Sequence, residues 1–259
     1  MNRLSALFQQ KKQNNLSIYF TAGYPALADT VVLLEGLQEA GCDFVEIGMP
    51  FSDPVADGPT IQHSSEVALE NGMTVKLLFE QLKEIRKTVS MPLILMGYIN
   101  PVIQFGMEKF CQECKAVGID GIILPDMPMQ VYLDEYKAYF ESHGLINIFL
   151  ITPQSSEERI RWIDEHSKGF IYMVSSYSTT GTTSGFGEKT LSYFQRIKDL
   201  NLKNPTVIGF GISDANDFKT ANEFANGAII GSAFVKMLGS SSNLKSDIDD
   251  FIKNIKSEE

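Results

Sequence analysis

A (β/α)8 barrel is the fold this sequence predicts, and three observations predict it. Short apolar runs of strand length alternate strictly with longer segments of helical spacing, eight times along the chain. Those runs are continuously apolar, as expected of parallel strands covered on both faces. No linker-like tract interrupts the alternation between residues 20 and 238, and 259 residues is the length that eight such units need. A doubly wound sheet would use the same alternation with fewer strands. One barrel domain over residues 1–259 is expected.

The elements follow in order. Residues 2–13 read as an amphipathic helix with Leu4, Leu7 and Phe8 on one side, an extra helix ahead of the barrel. Residues 17–22 form the first strand, stopped by Gly23-Tyr24-Pro25. A helix over 28–40 ends at Gly41. The second strand, 43–48, places Phe44, Glu46 and Gly48 on one face and Val45 and Ile47 on the other. After an acidic loop, helices are expected at 60–70 and 74–88, with Thr74 as a cap. Strand 92–98 follows, and Asn100-Pro101 reads as loop. The pattern continues with helix 107–117 and strand 119–124, helix 131–142 and strand 146–151, then helix 156–166 and strand 170–175. A Ser/Thr/Gly loop at 176–187, with few apolar anchors, is expected to be mobile without ligand. Helix 189–200, strand 206–210, helix 214–224 and strand 227–230 complete the barrel. A short helix at 233–238 and a final helix at 244–255 end the chain.

Composition narrows the function. The charge sum of −10 disfavours nucleic acid and anionic membrane, which need a basic surface. An anionic small molecule stays possible, because backbone dipoles can bind it locally. Three cysteines, Cys42, Cys111 and Cys114, do not make a disulfide framework, and the Cys111–Cys114 pair lacks a second pair of ligands. With no signal-like apolar region near Met1 and no apolar run of spanning length, a reduced cytoplasm is expected.

Barrel chemistry sits at the C-terminal ends of the strands. There the sequence places Phe20-Thr21, Glu46, Tyr98 to Asn100, Asp126, Tyr172, Ser175 and Phe210-Gly211. His63, His143 and His166 fall in helices, so no strand-end metal site is expected. No Lys lies in a strand, which argues against a Schiff base. Carboxylates, hydroxyls and aromatic walls remain, a set suited to general acid–base work on a weakly polar ring. Glu46 points into the space the sheet encloses, where an acid needs a partner, a shifted pKa or a task; a structural carboxylate bonded to loop amides reads equally well. Asp53 and Asp57 could be turn formers. Gly181, Gly209-Phe210-Gly211 and Gly231-Ser232 bring three glycine loops to one end, the last opening the short helix. Such loops bind phosphate through backbone N–H groups, or simply permit tight turns.

The stretch Glu-Ile-Gly-Met-Pro-Phe-Ser-Asp-Pro-Val-Ala-Asp-Gly-Pro-Thr-Ile-Gln at 46–62 closely resembles the signature of the tryptophan synthase alpha chain family. Gly97-Tyr-Ile-Asn-Pro101, Asp126-x-Pro128, Gly209-Phe-Gly-Ile-Ser213 and Gly231-Ser232-Ala-x-Val-Lys236 match in the same order, so the resemblance runs from about residue 15 to 255. It implies cleavage of indole-3-glycerol phosphate to indole and glyceraldehyde 3-phosphate, with Glu46 as proton shuttle and Asp57 accepting the ring N–H. It also implies phosphate contacts at Gly181, Gly211, Gly231 and Ser232, and positions around the indole and the catalytic loop at Phe20, Tyr172, Thr180 and Phe210. A beta chain carrying pyridoxal phosphate is the implied partner, in an alpha2-beta2 heterotetramer, met by loops near 51–58 and 100–101; no cofactor is expected in this chain. A stand-alone lyase would share the site, and turnover without a beta chain separates the two. One departure stands out: Ser178-Thr179-Thr180-Gly181 occupies the place of the family's usual Gly-Val-Thr-Gly.

Overall fold

A computed structural model describes residues 2–175 and 185–257. Its strands are β1 (Asn15–Thr21), β2 (Phe44–Gly48), β3 (Leu93–Met96), β4 (Gly121–Ile123), β5 (Ile146–Asn147), β6 (Leu150–Ile151), β7 (Ile171–Val174), β8 (Thr206–Gly209) and β9 (Gly227–Ile230). All pairings are parallel, in the order β5-β4-β3-β2-β1-β9-β8-β7-β6. β5 and β6 are two pieces of the fifth barrel strand. Between them the Ile148 N–H donates to the Ile122 carbonyl at 2.9 Å, and the Tyr172 N–H donates to the Phe149 carbonyl at 2.9 Å. The one strand thus holds both neighbours and closes the sheet into the expected barrel.

Two apolar cores follow from period-2 alternation. Ile18, Phe20, Val45, Ile47, Leu93, Leu95, Ile208 and Ile230 pack outward under the helices. Phe44, Ile94, Ile123, Phe170, Tyr172, Val207 and Ile229 fill the barrel, and Leu4 and Phe8 of the N-terminal helix join them. Phe8 lies 6.0 Å from Phe44 and 5.7 Å from Phe170, ring centre to ring centre, so this helix plugs the N-terminal end of the barrel. Asp120 anchors it: its carboxylate accepts from the Arg3 N–H, from the Arg3 guanidinium at 3.2 Å and from the Arg86 guanidinium at 2.7 Å. The chemistry is thereby left to the opposite end.

Most helices fall where spacing placed them. The segment read as loop around Asn100-Pro101 is instead helical over Ile99–Phe105. Pro101 sits in its first turn, where the backbone N–H groups have no intrahelical partner and a missing donor costs little. Asp126, at the end of the fourth barrel strand, accepts from the Ile99 N–H at 2.9 Å and so serves this helix start. The segment 74–88 divides into a helix, Val75–Leu82, and a short 3-10 turn, Ile85–Lys87. The short helix after the last strand covers Ser232–Ser240.

Candidate active site

A cavity of about 430 Å³ opens at the C-terminal end of the barrel. Its walls include Tyr19 from β1, Met49 and Asp57 from the acidic loop, Met96 and Tyr98 from the β3 end, Leu150, Val174 and Phe210. The lining is mostly apolar with few polar groups, which suits an aromatic ring held in one orientation.

Glu46 lies on the inner face of β2 and is fully buried. Neither carboxyl oxygen has a hydrogen-bond partner among the described residues. Burial pushes its pKa up to about 8, because the charged form would lose its hydration without compensation. Among the described residues no loop amide donates to it, as a structural carboxylate would require.

Asp57 is part-buried at the cavity wall. The Tyr98 hydroxyl donates to its Oδ2 at 3.1 Å and accepts from the Ala56 N–H at 3.0 Å. Burial raises the Asp57 pKa, and the Tyr98 hydrogen bond opposes that rise. Tyr98 also packs on Phe51, ring centres 5.3 Å apart, so a single aromatic residue from the β3 end orders the acidic loop. Asp53, by contrast, is exposed and accepts from the Ser52 hydroxyl at 2.6 Å, as a turn former does.

Two tyrosines reach into the barrel over glycines. A Cβ on Gly48 would lie 2.2 Å from the Tyr19 hydroxyl, and one on Gly209 would lie 2.0 Å from the Tyr172 hydroxyl. Any side chain at either glycine would displace the ring above it. Burial raises the pKa of both phenols, with Asp57 and Glu46 adding to it, so both stay neutral donors.

At the β8 end the chain takes a left-handed conformation at two successive residues, Phe210 (φ 69°) and Gly211 (φ 71°). A non-glycine residue there is strained and persists where its surroundings enforce it. The Ser175 hydroxyl enforces it by donating to the Phe210 carbonyl at 2.6 Å. The Phe210 ring, 6.1 Å from that of Tyr172, then faces the cavity. Gly231 caps the helix Ser232–Ser240, whose first N–H groups have no partner within the helix and suit an anion.

The expected residues divide as follows. Glu46, Asp57, Tyr172, Phe210, Gly211, Gly231 and Ser232 gather at this end of the barrel. Phe20 does not: it is fully buried in the outer core with Ile18 and Ala22. Strand alternation turns it toward the helices and turns Tyr19 toward the cavity, so Tyr19 replaces Phe20 as the ring wall from β1. In the sequence Ser17, Tyr19 and Thr21 share one face, and the cover of the helices decides that this face turns inward. Leu150 and Val174, which the sequence reading did not single out, also line the cavity. Thr180, Gly181 and Ser178 lie outside the described residues. Among the described residues no group of three His, Cys, Asp or Glu side chains is placed to hold a metal. None of their helices is long and apolar enough to cross a membrane.

Known proteins share this arrangement over nearly the whole chain. The family model described as Tryptophan synthase alpha chain matches residues 5–258. The tryptophan synthase alpha chain of Flavobacterium johnsoniae is 58% identical over 256 residues, covering 99% of this chain and 100% of that one. Among solved structures, tryptophan synthase subunit alpha from Legionella pneumophila superposes with a TM-score of 0.88 at 32% identity, covering 99% of this chain and 98% of that one. A tryptophan synthase from M. tuberculosis in an aminoacrylate-bound form gives 0.85 at 28% identity, with 98% of each chain covered. Matched from end to end in sequence and in barrel geometry, the chain belongs to the tryptophan synthase alpha chain family.

Proposed function

We propose that Glu46 and Asp57 share the proton transfers and charge stabilisation in the cleavage of indole-3-glycerol phosphate to indole and glyceraldehyde 3-phosphate. The chain is a carbon–carbon lyase of tryptophan biosynthesis. The observation that carries the residue assignment is Glu46, a fully buried carboxyl without a partner among the described residues, with its pKa pushed up to about 8. Near neutrality such a group holds a proton it can give and take back.

Glu46 delivers its proton to C3 of the indole ring. The ring nitrogen becomes positively charged, and the Asp57 carboxylate accepts its N–H and stabilises that charge. The Glu46 carboxylate then takes the proton of the side-chain hydroxyl next to the breaking bond. A carbonyl forms at that carbon, and the electron pair of the carbon–carbon bond returns to the ring. Indole leaves with the new hydrogen on C3, and the other product is the aldehyde. Tyr19, Tyr172 and Phe210 wall the ring. Gly211, Gly231 and Ser232 receive the phosphate through backbone N–H groups, which an acidic chain can do without a cation. Thr180 and Gly181 join this assignment on the family resemblance alone.

The partner is a beta chain that consumes the indole and carries the pyridoxal phosphate, in an alpha2-beta2 assembly in the cytoplasm. Val55, 86% exposed on the acidic loop, and Ile103, 52% exposed on the helix after β3, offer apolar contacts beside the site. The test is indole release by the purified chain, with and without a beta chain. Slow turnover alone and a large gain with the partner are expected; no indole under either condition would refute the assignment.

A further inference from the structure

Tyr19 has so far been only a wall. It stands on β1 in register with Glu46 on β2, and both side chains lie on the inner face. Its hydroxyl packs against Gly48, the next inward position on the Glu46 strand. The one described contact of that hydroxyl is Thr21 Oγ1 at 3.5 Å, long for a pair of hydroxyls. Proton bookkeeping leaves this contact slack. The Ser64 hydroxyl donates to the Ile61 carbonyl at 2.8 Å, so Thr21 donates to Ser64 across their 2.7 Å contact. With its one proton given to Ser64, Thr21 can only accept from Tyr19, so the Tyr19 proton is held by nothing tighter than this 3.5 Å contact. Across the strand pair, the two carboxyl oxygens of Glu46 have no hydrogen-bond partner among the described residues.

We infer that Tyr19 is a positioning residue for Glu46, its hydroxyl donating to the Glu46 carboxylate in the part of the cycle when that group has given up its proton. This rests on Glu46 being the proton shuttle. A donor to the ionised form favours it, so Tyr19 brings down a proton affinity that burial alone sets too high for rapid return of the proton. Tyr172 from β7 also faces Glu46, while Asp57 from the acidic loop and Tyr98 from the β3 end stand near Tyr19. Tyr98 is committed to Asp57 and to the Ala56 N–H. Tyr172 rests against Gly209, on a strand that is not a neighbour of β2. Tyr19 is the phenol in strand register with Glu46.

The experiment measures kcat and KM for indole-3-glycerol phosphate cleavage from about pH 6 to 10 in the parent chain, Tyr19→Phe and Glu46→Gln, each with the beta chain present. For Tyr19→Phe, kcat at neutral pH should fall about 10-fold with KM within about 2-fold, and the limb governed by Glu46 should move up by about one pH unit. A limb that stays in place, or a change in KM alone, overturns the inference. A 3-fluorotyrosine at position 19 keeps the shape with a more acidic hydroxyl and should move the limb down, which keeps the question open to test if Tyr19→Phe unfolds; an unmoved limb overturns it here too. Near-normal turnover in Glu46→Gln would overturn the underlying reading, whereas an inactive Glu46→Gln beside an unmoved Tyr19→Phe limb overturns only the role of Tyr19.

Discussion

The Glu46 carboxyl ties the proposed proton transfer to stability. In the unfolded chain it titrates near 4.5, and in the folded chain near about 8. Between those values the folded chain keeps a proton that the unfolded chain releases. The unfolded state then binds fewer protons, so stability falls as pH rises. The contribution of this group is fully present below about pH 4.5 and is lost as pH passes through about 8. Glu46→Gln removes the titration while keeping the shape. Its stability relative to the parent should rise between pH 5 and 8.5, read as diverging urea midpoints, by on the order of a few kcal/mol; parallel midpoints would show that Glu46 titrates normally. The same substitution should lower turnover by about 100-fold or more while substrate still binds, since an amide cannot shuttle a proton. Near-normal kcat would remove Glu46 from the chemistry.

At the scale of elements, the proposed phosphate end is built from a strained turn and a helix start. A Cβ at Gly231 would meet Tyr19 only at 3.6 Å, an ordinary contact. Gly231→Asp therefore tests charge more than bulk: it places an anion where the phosphate should sit. Affinity for glycerol phosphate, measured by calorimetry, should drop by about 10-fold or more while the thermal transition stays close to that of the parent. Unchanged affinity would move the phosphate elsewhere. The left-handed pair Phe210-Gly211 depends on the Ser175 hydroxyl. Ser175→Ala leaves the Phe210 carbonyl without that donor and lets the strained turn relax. KM for the phosphorylated substrate should rise several-fold with a smaller change in kcat, whereas a change in kcat alone would place Ser175 with the reacting atoms.

The whole molecule separates a stability end from a chemical end. At the lower end Phe8, 4% exposed, packs between Phe44 and Phe170. Phe8→Ala should cost about 3–5 kcal/mol of unfolding free energy and leave kcat of the folded fraction nearly unchanged; a loss of kcat without loss of stability would mean that the plug reaches the site. At the upper end the acidic loop carries both Asp57 and the exposed Val55, so the proposed catalytic carboxylate and the proposed partner contact share one short segment. Val55→Asp is expected to weaken stimulation by the beta chain while indole release by the isolated chain persists. Equal stimulation in the variant would place the docking face elsewhere.

Much of this was written in local pattern. Eight apolar runs alternating with helical segments specify a barrel, because continuous apolar strands must be covered on both faces. The alternation around Glu46 already turned it inward, and the acidic loop marked Asp57. Three things needed the tertiary structure. The fifth strand divides its pairing between two neighbours across Ile148 and Phe149, a consequence of closure that no single segment encodes. The run containing Asn100-Pro101 becomes a helix because Asp126, from the next barrel strand, caps its start. Tyr19 and not Phe20 faces the cavity: composition favours either aromatic, and the face is decided by which residues the helices cover. The electrostatics of the site belong to the fold as well. A glutamate in a strand titrates as any glutamate until the closed sheet takes away its water, and only then does its pKa come within reach of proton transfer at neutral pH.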